Sequence, residues 1–172
     1  MKKIIFILLV IVGISSAFII TDRESIEFNA ESVKELLYNN GNISPSNTHP
    51  DLMDALKHTW IAPKTEDGTK IVLYSNHAQA QEVNCDFVNY YFQDSNLVNR
   101  SNYNYCDMAT RTKITVDTKE KLLFTLSEET GKTFINFADE AGTDKGTYQI
   151  TEVAKVTYIN KIKGYEITLI KE

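Results

Sequence analysis

The spacing of apolar residues changes after the first third of the chain. Before that point apolar positions recur every three or four residues, which is the helical period. Asn29 can cap a helix over 29–37, and Gly41 is placed to end it. A second short helix is predicted over 50–57, because Pro50 fits the first turn of a helix.

The remainder of the chain alternates apolar and polar residues, the period of strands whose two faces differ. In the last run Tyr165, Ile167 and Leu169 alternate with Glu166 and Thr168, which predicts a strand with one buried face. Strands are predicted over 59–62, 70–75, 83–92, 113–116, 122–126, 133–137, 148–151, 156–159 and 165–169. This pattern indicates a mainly β (α+β) fold, a small antiparallel β-barrel or sandwich preceded by one or two short N-terminal helices.

The N-terminus has the pattern of an export signal. Lys2 and Lys3 precede an unbroken apolar run over 4–12, and Ser16-Ala17 supplies small residues for cleavage. We expect a signal peptide over 1–17, a linker with short helices over 18–57 and an antiparallel β domain over 58–172. The alternative is an uncleaved membrane anchor, because 18–20 prolong the apolar run. Both place the folded part outside the cytoplasm, in the periplasm or secreted.

Composition and charge narrow the set of partners. Hydrophobic residues make up 42% and charged residues 24% of the chain, enough apolar side chains for a core. Without Lys2 and Lys3, the 18 basic residues fall to 16 against 23 acids, a net charge of −7. A chain with this charge does not follow a phosphate backbone or an anionic lipid surface by electrostatics. Nucleic acid is therefore excluded, and membrane contact is expected only through an uncleaved N-terminus.

The two cysteines, Cys85 and Cys106, are expected to form a disulfide, because an exported pair meets an oxidising compartment. A bond across a loop of this length stabilises by about 3 kcal/mol. The alternatives are a metal site or a catalytic thiol, but neither cysteine has a CxxC partner or a nearby histidine. The segment 93–105 is rich in asparagine and is expected to be a loop held to the sheet by this bond.

The order of a short helix, the spacing from Leu56 to Trp60 and a hydrophobic meander resembles small secreted lipocalin-like proteins of bacteria. Those open their barrel with Gly-x-Trp, whereas here His58-Thr59 precede the tryptophan and the glycine is missing. The cysteine pair after a tryptophan-containing strand is also similar to exported META-like domains. Both resemblances cover the chain from Leu56 onward and imply a β-rich binding or stability module.

No constellation of residues predicts an enzyme. The histidines are His49, His58 and His77, and no Gly-x-Ser-x-Gly motif accompanies them. The acidic loop over 139–144 lacks the alternating acids of a calcium-binding loop. A glycine-rich phosphate loop is missing as well. We therefore expect neither a metal nor a cofactor, and a hydrolase ranks last among the functions considered.

The residues with a recognition role are aromatic and amide side chains, because tyrosine and asparagine combine contact area with adaptable hydrogen bonds. Trp60 is either a plug in the core or a stacking platform at a pocket mouth. The candidate binding residues are Trp60, Tyr90, Tyr91, Tyr103, Asn104 and Tyr105. The first functional hypothesis is an exported non-enzymatic module that binds a small apolar ligand or an exported protein. The alternative is a periplasmic inhibitor or immunity-type protein that neutralises an enzyme.

Overall fold

A computed structural model describes residues 20–41, 57–65, 67–76, 86–104, 115–158 and 163–172. These ranges hold one helix and nine strands. In chain order the elements are β1 (Ile20–Ser25), α1 (Ala30–Asn39), β2 (Thr59–Pro63), β3 (Lys70–Tyr74), β4 (Asp86–Gln93), β5 (Leu97–Asn104), β6 (Thr115–Glu129), β7 (Lys132–Asp139), β8 (Asp144–Tyr158) and β9 (Lys163–Lys171).

Strands β2 to β9 close into an eight-stranded antiparallel barrel. The ring runs β3-β2-β4-β5-β6-β7-β8-β9 and closes where β9 pairs with β3. Neighbours in the ring are neighbours in sequence except at two places, where β2 pairs with β4 and where β9 pairs with β3. The predicted antiparallel β fold with an N-terminal helix is confirmed, and of the two architectures considered it is the barrel.

Strand β1 lies outside the ring and pairs with the C-terminal half of β8. The same edge of β8 pairs with β7 along its N-terminal half, so the two strands together cover it. Arg23 of β1 donates to Glu152 at 2.9 Å and to Glu166 of β9. The predicted exposed face of the last strand is therefore partly covered: Glu166 is only 6% exposed, and the cation compensates for its burial.

Three predicted boundaries are corrected by the pairing of the strands. The segment 93–105, expected to be a loop, consists mostly of β5, because β4 and β6 flank it and supply hydrogen-bonding partners to its backbone. The predicted strands 113–116 and 122–126 belong to one strand, β6. The runs 148–151 and 156–159 likewise fall in β8 as far as Tyr158. Residues 50–56 of the second predicted helix lie outside the described residues, as do 83–85, 113–114 and 159.

Helix α1 covers one end of the barrel. Its capping box pairs Asn29 with Ser32, which confirms the predicted N-cap, and it buries Val33 and Leu37 against the barrel core. Gly41 follows the C-cap and donates to the Lys57 carbonyl. A Cβ at Gly41 would lie 2.6 Å from backbone atoms of residues 57 and 59, so only glycine permits this close approach.

The interior of the barrel is filled by side chains, as expected for eight strands. Aromatic rings form its centre. The rings of Phe92 and Phe124 pack edge to face with their centroids 5.1 Å apart, and the rings of Tyr90 and Phe92 are stacked with their centroids 6.4 Å apart. The largest side chains that are fully buried in this core are Trp60, Phe92, Phe124, Leu37, Leu73, Leu122, Ile135, Ile150, Ile167 and Leu169. A smaller cluster of Ile61, Phe87 and Tyr74 is separate from it.

The strands predicted over 122–126 and 133–137 lie in β6 and β7, which pair as a hairpin. Its two turn residues, Thr130 and Gly131, both have positive φ, at 51° and 76°. This is the conformation of a type I′ turn, which matches the twist of the strands but suits Asn-Gly better than Thr-Gly. Asn96, in the turn between β4 and β5, also has a positive φ of 58°, which asparagine tolerates.

Candidate functional site: a groove in the outer wall

The clearest concave surface among the described residues is a groove of about 800 Å³. It is lined by three neighbouring strands and the turn between β7 and β8. The lining residues are Tyr91, Asn99, Arg100, Ser101, Lys121, Asp139, Glu140 and Ala141. The volume is comparable to known ligand pockets, but the lining is polar and charged rather than apolar.

The register of the strands explains why these side chains share one surface. Tyr91 of β4 is paired with Asn99 of β5, which is paired with Lys121 of β6. Their sequence neighbours Val98 and Leu122 are buried, so strand alternation directs this row to the outside. We call these three residues and Glu140 the polar row. Glu140 belongs to it because it follows Asp139, the partner of Leu122.

A second row runs beside the first and is apolar. Leu97, Leu123 and Ala138 are paired across β5, β6 and β7, two residues along each strand from the polar row. Leu123 is 40% exposed, the one large hydrophobic side chain of the described residues that is exposed. A polar row beside an exposed leucine is the combination found at protein interfaces, where an apolar centre is bordered by polar groups.

The turn that forms one end of the groove is held by its own hydrogen bonds. The Asp139 carboxylate accepts from the backbone N–H groups of Thr143 at 2.8 Å and Ala141 at 3.0 Å, and Lys145 lies 3.4 Å away. The hydrogen bond from the Thr143 backbone is the main cause that lowers the pKa of Asp139, with smaller contributions from Lys145. The Asp139 carboxylate therefore stabilises the conformation of the turn. The side chain of the neighbouring Glu140 is exposed to solvent instead.

Two charges of the polar row have no ion pair within the described residues. Lys121 and Glu140 are both exposed, and neither has a counter-ion within 4.0 Å there. Arg100, in contrast, is held by Glu120 at 2.5 Å. The groove therefore offers one cation and one anion to a partner, while its arginine is already neutralised.

Arg100 connects the groove to the core through Tyr90. The two residues are paired across β4 and β5, so the guanidinium charge of Arg100 lies on the strand beside the Tyr90 hydroxyl and opposes the rise in its pKa. Tyr90 is 4% exposed, and its burial raises the pKa of its hydroxyl to about 12. The predicted binding residues Tyr90 and Tyr91 thus separate, Tyr90 into the core and Tyr91 into the groove.

Trp60 occupies the position of a core plug. It is 0% exposed, and its indole Nε1–H donates to the Leu37 carbonyl of α1 at 3.0 Å. Tyr103 and Asn104 lie in β5, but their side chains are not described, and Tyr105 is outside the described residues. Cys85 and Cys106 are outside them too, so the disulfide stays a prediction.

His58 is the histidine that the structure describes, since His49 and His77 lie outside the described residues. Its ring contacts Tyr38 and Tyr91 edge to face, at 6.2 and 6.1 Å, and its Nδ1 atom is buried without a hydrogen-bond partner. The groove lining contains carboxylates but not this histidine. The described part of the chain also brings together no group of three His, Cys, Asp or Glu residues able to hold a metal ion.

Sequence reasoning missed Lys121 and Leu123 as surface features, and it placed Glu140 in an acidic loop without connecting it to them. One signal was available: Leu122 and Leu123 are adjacent in an alternating strand, so one of them must face outward. The charges of Lys121 and Glu140 carried no such signal, because their proximity depends on the register between β6 and β7.

No protein-family model, curated protein or solved structure matches this chain. Within the described ranges, no helix has the length and apolar character needed to cross a bilayer.

Proposed function

We propose that this chain is an exported, non-enzymatic interaction module that binds a protein partner through the groove in its outer wall. The observation that supports this most is the polar row, whose exposed Lys121 and Glu140 have no ion pair within the described residues, beside exposed Leu123. In the same row, Tyr91 adds contact area and Asn99 adds hydrogen-bonding groups. Unpaired charges beside an apolar side chain suit a macromolecular partner that supplies counter-charges and covers the leucine.

The filled interior argues against the binding of an apolar ligand inside the barrel. A small apolar ligand would need an apolar cavity, yet aromatic and aliphatic side chains fill the centre of this barrel. An open, polar groove buries little of a small apolar molecule, so it provides little hydrophobic binding energy. A protein surface is the better match to the outer wall.

Export is the second part of the proposal, and the position of β1 supports cleavage over anchoring. Ile20 is paired with Tyr158 in the sheet, so it contributes to the fold rather than to a membrane span. The apolar run then ends at residue 19, and a helix over 4–19 would reach about 24 Å, short of the roughly 30 Å of a bilayer core. Cleavage after Ala17 would leave β1 complete.

Site-specific photo-crosslinking in the periplasm tests the docking proposal. A photoreactive residue at Asn99, inside the groove, is compared with one at Lys155, an exposed position on β8. We expect a discrete protein adduct from position 99 and none from position 155, and the adduct should weaken when Lys121→Glu is added. Adducts of equal strength from both positions would contradict a groove-specific partner.

The identity of the adduct separates the interaction module from the inhibitor alternative. An enzyme captured at position 99, whose activity falls on addition of the purified protein, would establish the inhibitor. Intact mass of the periplasmic protein tests export independently. We expect a chain that begins at Phe18, and a mass that includes residues 1–17 would indicate an anchor.

A further inference from the structure

The charges of the polar row are suited to a two-fold symmetric contact. Lys121 and Glu140 carry opposite charges, lie on neighbouring elements at the same level of the wall, and lack ion pairs within the described residues. In an isologous contact the same surface is used twice, so residue i of one copy meets residue j of the other and the reverse. A surface with one free cation and one free anion is self-complementary under that symmetry.

We propose that the partner of the groove is a second copy of this chain. Lys121 of each copy pairs with Glu140 of the other, which gives two equivalent ion pairs. Leu123, beside the row, loses its exposure to water in the same contact. This inference rests on the proposed function, since it names the protein that the groove binds.

The size of the surface sets the expected strength of the dimer. The two rows extend across four elements, from β4 to the turn after β7. Three inter-strand spacings correspond to about 14 Å. Such a surface is small compared with the interfaces of permanent dimers, which bury well over 1,000 Å². We therefore expect a reversible dimer with a dissociation constant in the micromolar range.

Charge reversal tests whether Lys121 of one copy pairs with Glu140 of the other. Lys121→Glu places two acids opposite each other at both symmetric positions, and Glu140→Lys does the same with two cations. Because symmetry doubles each effect, either single variant should weaken dimerisation at least about tenfold. An equimolar mixture of the two variants should restore it, since a mixed dimer again pairs opposite charges at both positions.

Sedimentation velocity of the exported protein from about 5 to 500 µM measures these equilibria. Lys132→Glu, the same charge change at an exposed residue outside the groove, is the control and should dimerise like the wild type. Circular dichroism of each variant verifies that the barrel is folded, and recovery in the mixture shows this independently. We expect a concentration-dependent dimer, its loss in both single variants and its return on mixing.

A wild-type protein that is monomeric at 500 µM would overturn the inference. A dimer that persists in both single variants, or mixed variants that stay monomeric, would overturn it too. None of these results removes the proposed function, because a groove-specific adduct with a different protein would still identify a partner. Loss of all adducts at position 99, in contrast, would remove the proposed function itself.

Discussion

Aromatic residues lie both at the end of the barrel covered by α1 and in the groove of its outer wall, but they are buried at the first and partly exposed in the second. At the covered end, Trp60 is fully buried and its indole N–H is hydrogen-bonded to Leu37 of the helix. In the groove, Tyr91 is partly exposed and the charges of Lys121 and Glu140 are unpaired within the described residues. We therefore expect the covered end to contribute more to the stability of the fold than the groove does.

One short segment contributes to both regions. Tyr90 and Tyr91 are adjacent in β4, and the alternation of the strand directs the first into the core and the second into the groove. Arg100 then connects the two environments, because it is paired with the buried Tyr90 across β4 and β5 and also lines the groove. We therefore expect substitutions to change stability and recognition separately.

The largest effect is expected at the covered end. Trp60→Ala removes a fully buried aromatic side chain and should lower the free energy of unfolding by about 3–5 kcal/mol. Trp60→Phe keeps most of the apolar volume but leaves the Leu37 carbonyl without its donor, so it should cost about 1–2 kcal/mol. Urea unfolding measures both, and equal losses would show that the indole hydrogen bond, not the packed volume, dominates.

The next effect is a loss of stability at high pH through Tyr90. Burial raises the pKa of its hydroxyl to about 12 in the folded chain, against the ordinary value of 10.0. The unfolded chain therefore releases this proton first: the stabilisation is complete below pH 10 and decreases as the pH rises towards 12. Two pKa units correspond to about 2–3 kcal/mol. With Tyr90→Phe, the free energy of unfolding obtained from unfolding curves should decrease less between pH 10 and pH 12 than it does in the wild type. An unchanged dependence on pH would show that other groups cause the loss.

A smaller gain is expected at the β6–β7 hairpin, which lies at the helix-covered end because Glu128 accepts from the Ala30 backbone. Thr130 has a φ of 51°, unfavourable for a β-branched residue. Thr130→Asn should therefore raise stability by about 0.5–1 kcal/mol. Thr125→Asn, the same change within β6, should lower it slightly, because threonine is the better strand residue. Thermal unfolding of both variants makes the test, and a lower melting temperature for Thr130→Asn would contradict it.

The smallest effect on stability is expected in the groove. Asn99→Ala and Lys121→Ala each change a partly or fully exposed side chain and should alter the free energy of unfolding by no more than about 0.5 kcal/mol. Both should nevertheless reduce partner binding measured by crosslinking or sedimentation. A large loss of stability in either variant would show that the groove residues stabilise the fold, which would contradict the expected difference between the groove and the covered end.

The sequence by itself determined the elements that depend on local chemistry. The capped helix after Asn29 and the hairpin at Thr130-Gly131 follow from residues close together in the chain. The buried face of the last strand, with Ile167 and Leu169, follows from its alternation. In each case the period or the turn chemistry is local, so it could be predicted without knowledge of the fold.

Tertiary structure decided everything that depends on strand neighbours. β5 is polar and has no apolar alternation after Val98, yet it is a strand because β4 and β6 satisfy its backbone on both sides. Glu166 lies on a polar face in the sequence but is buried, because β1 brings Arg23 to it across the sheet. The groove has the same origin: register places Tyr91, Asn99, Lys121 and Glu140 in one row, and register is a long-range property of the paired strands.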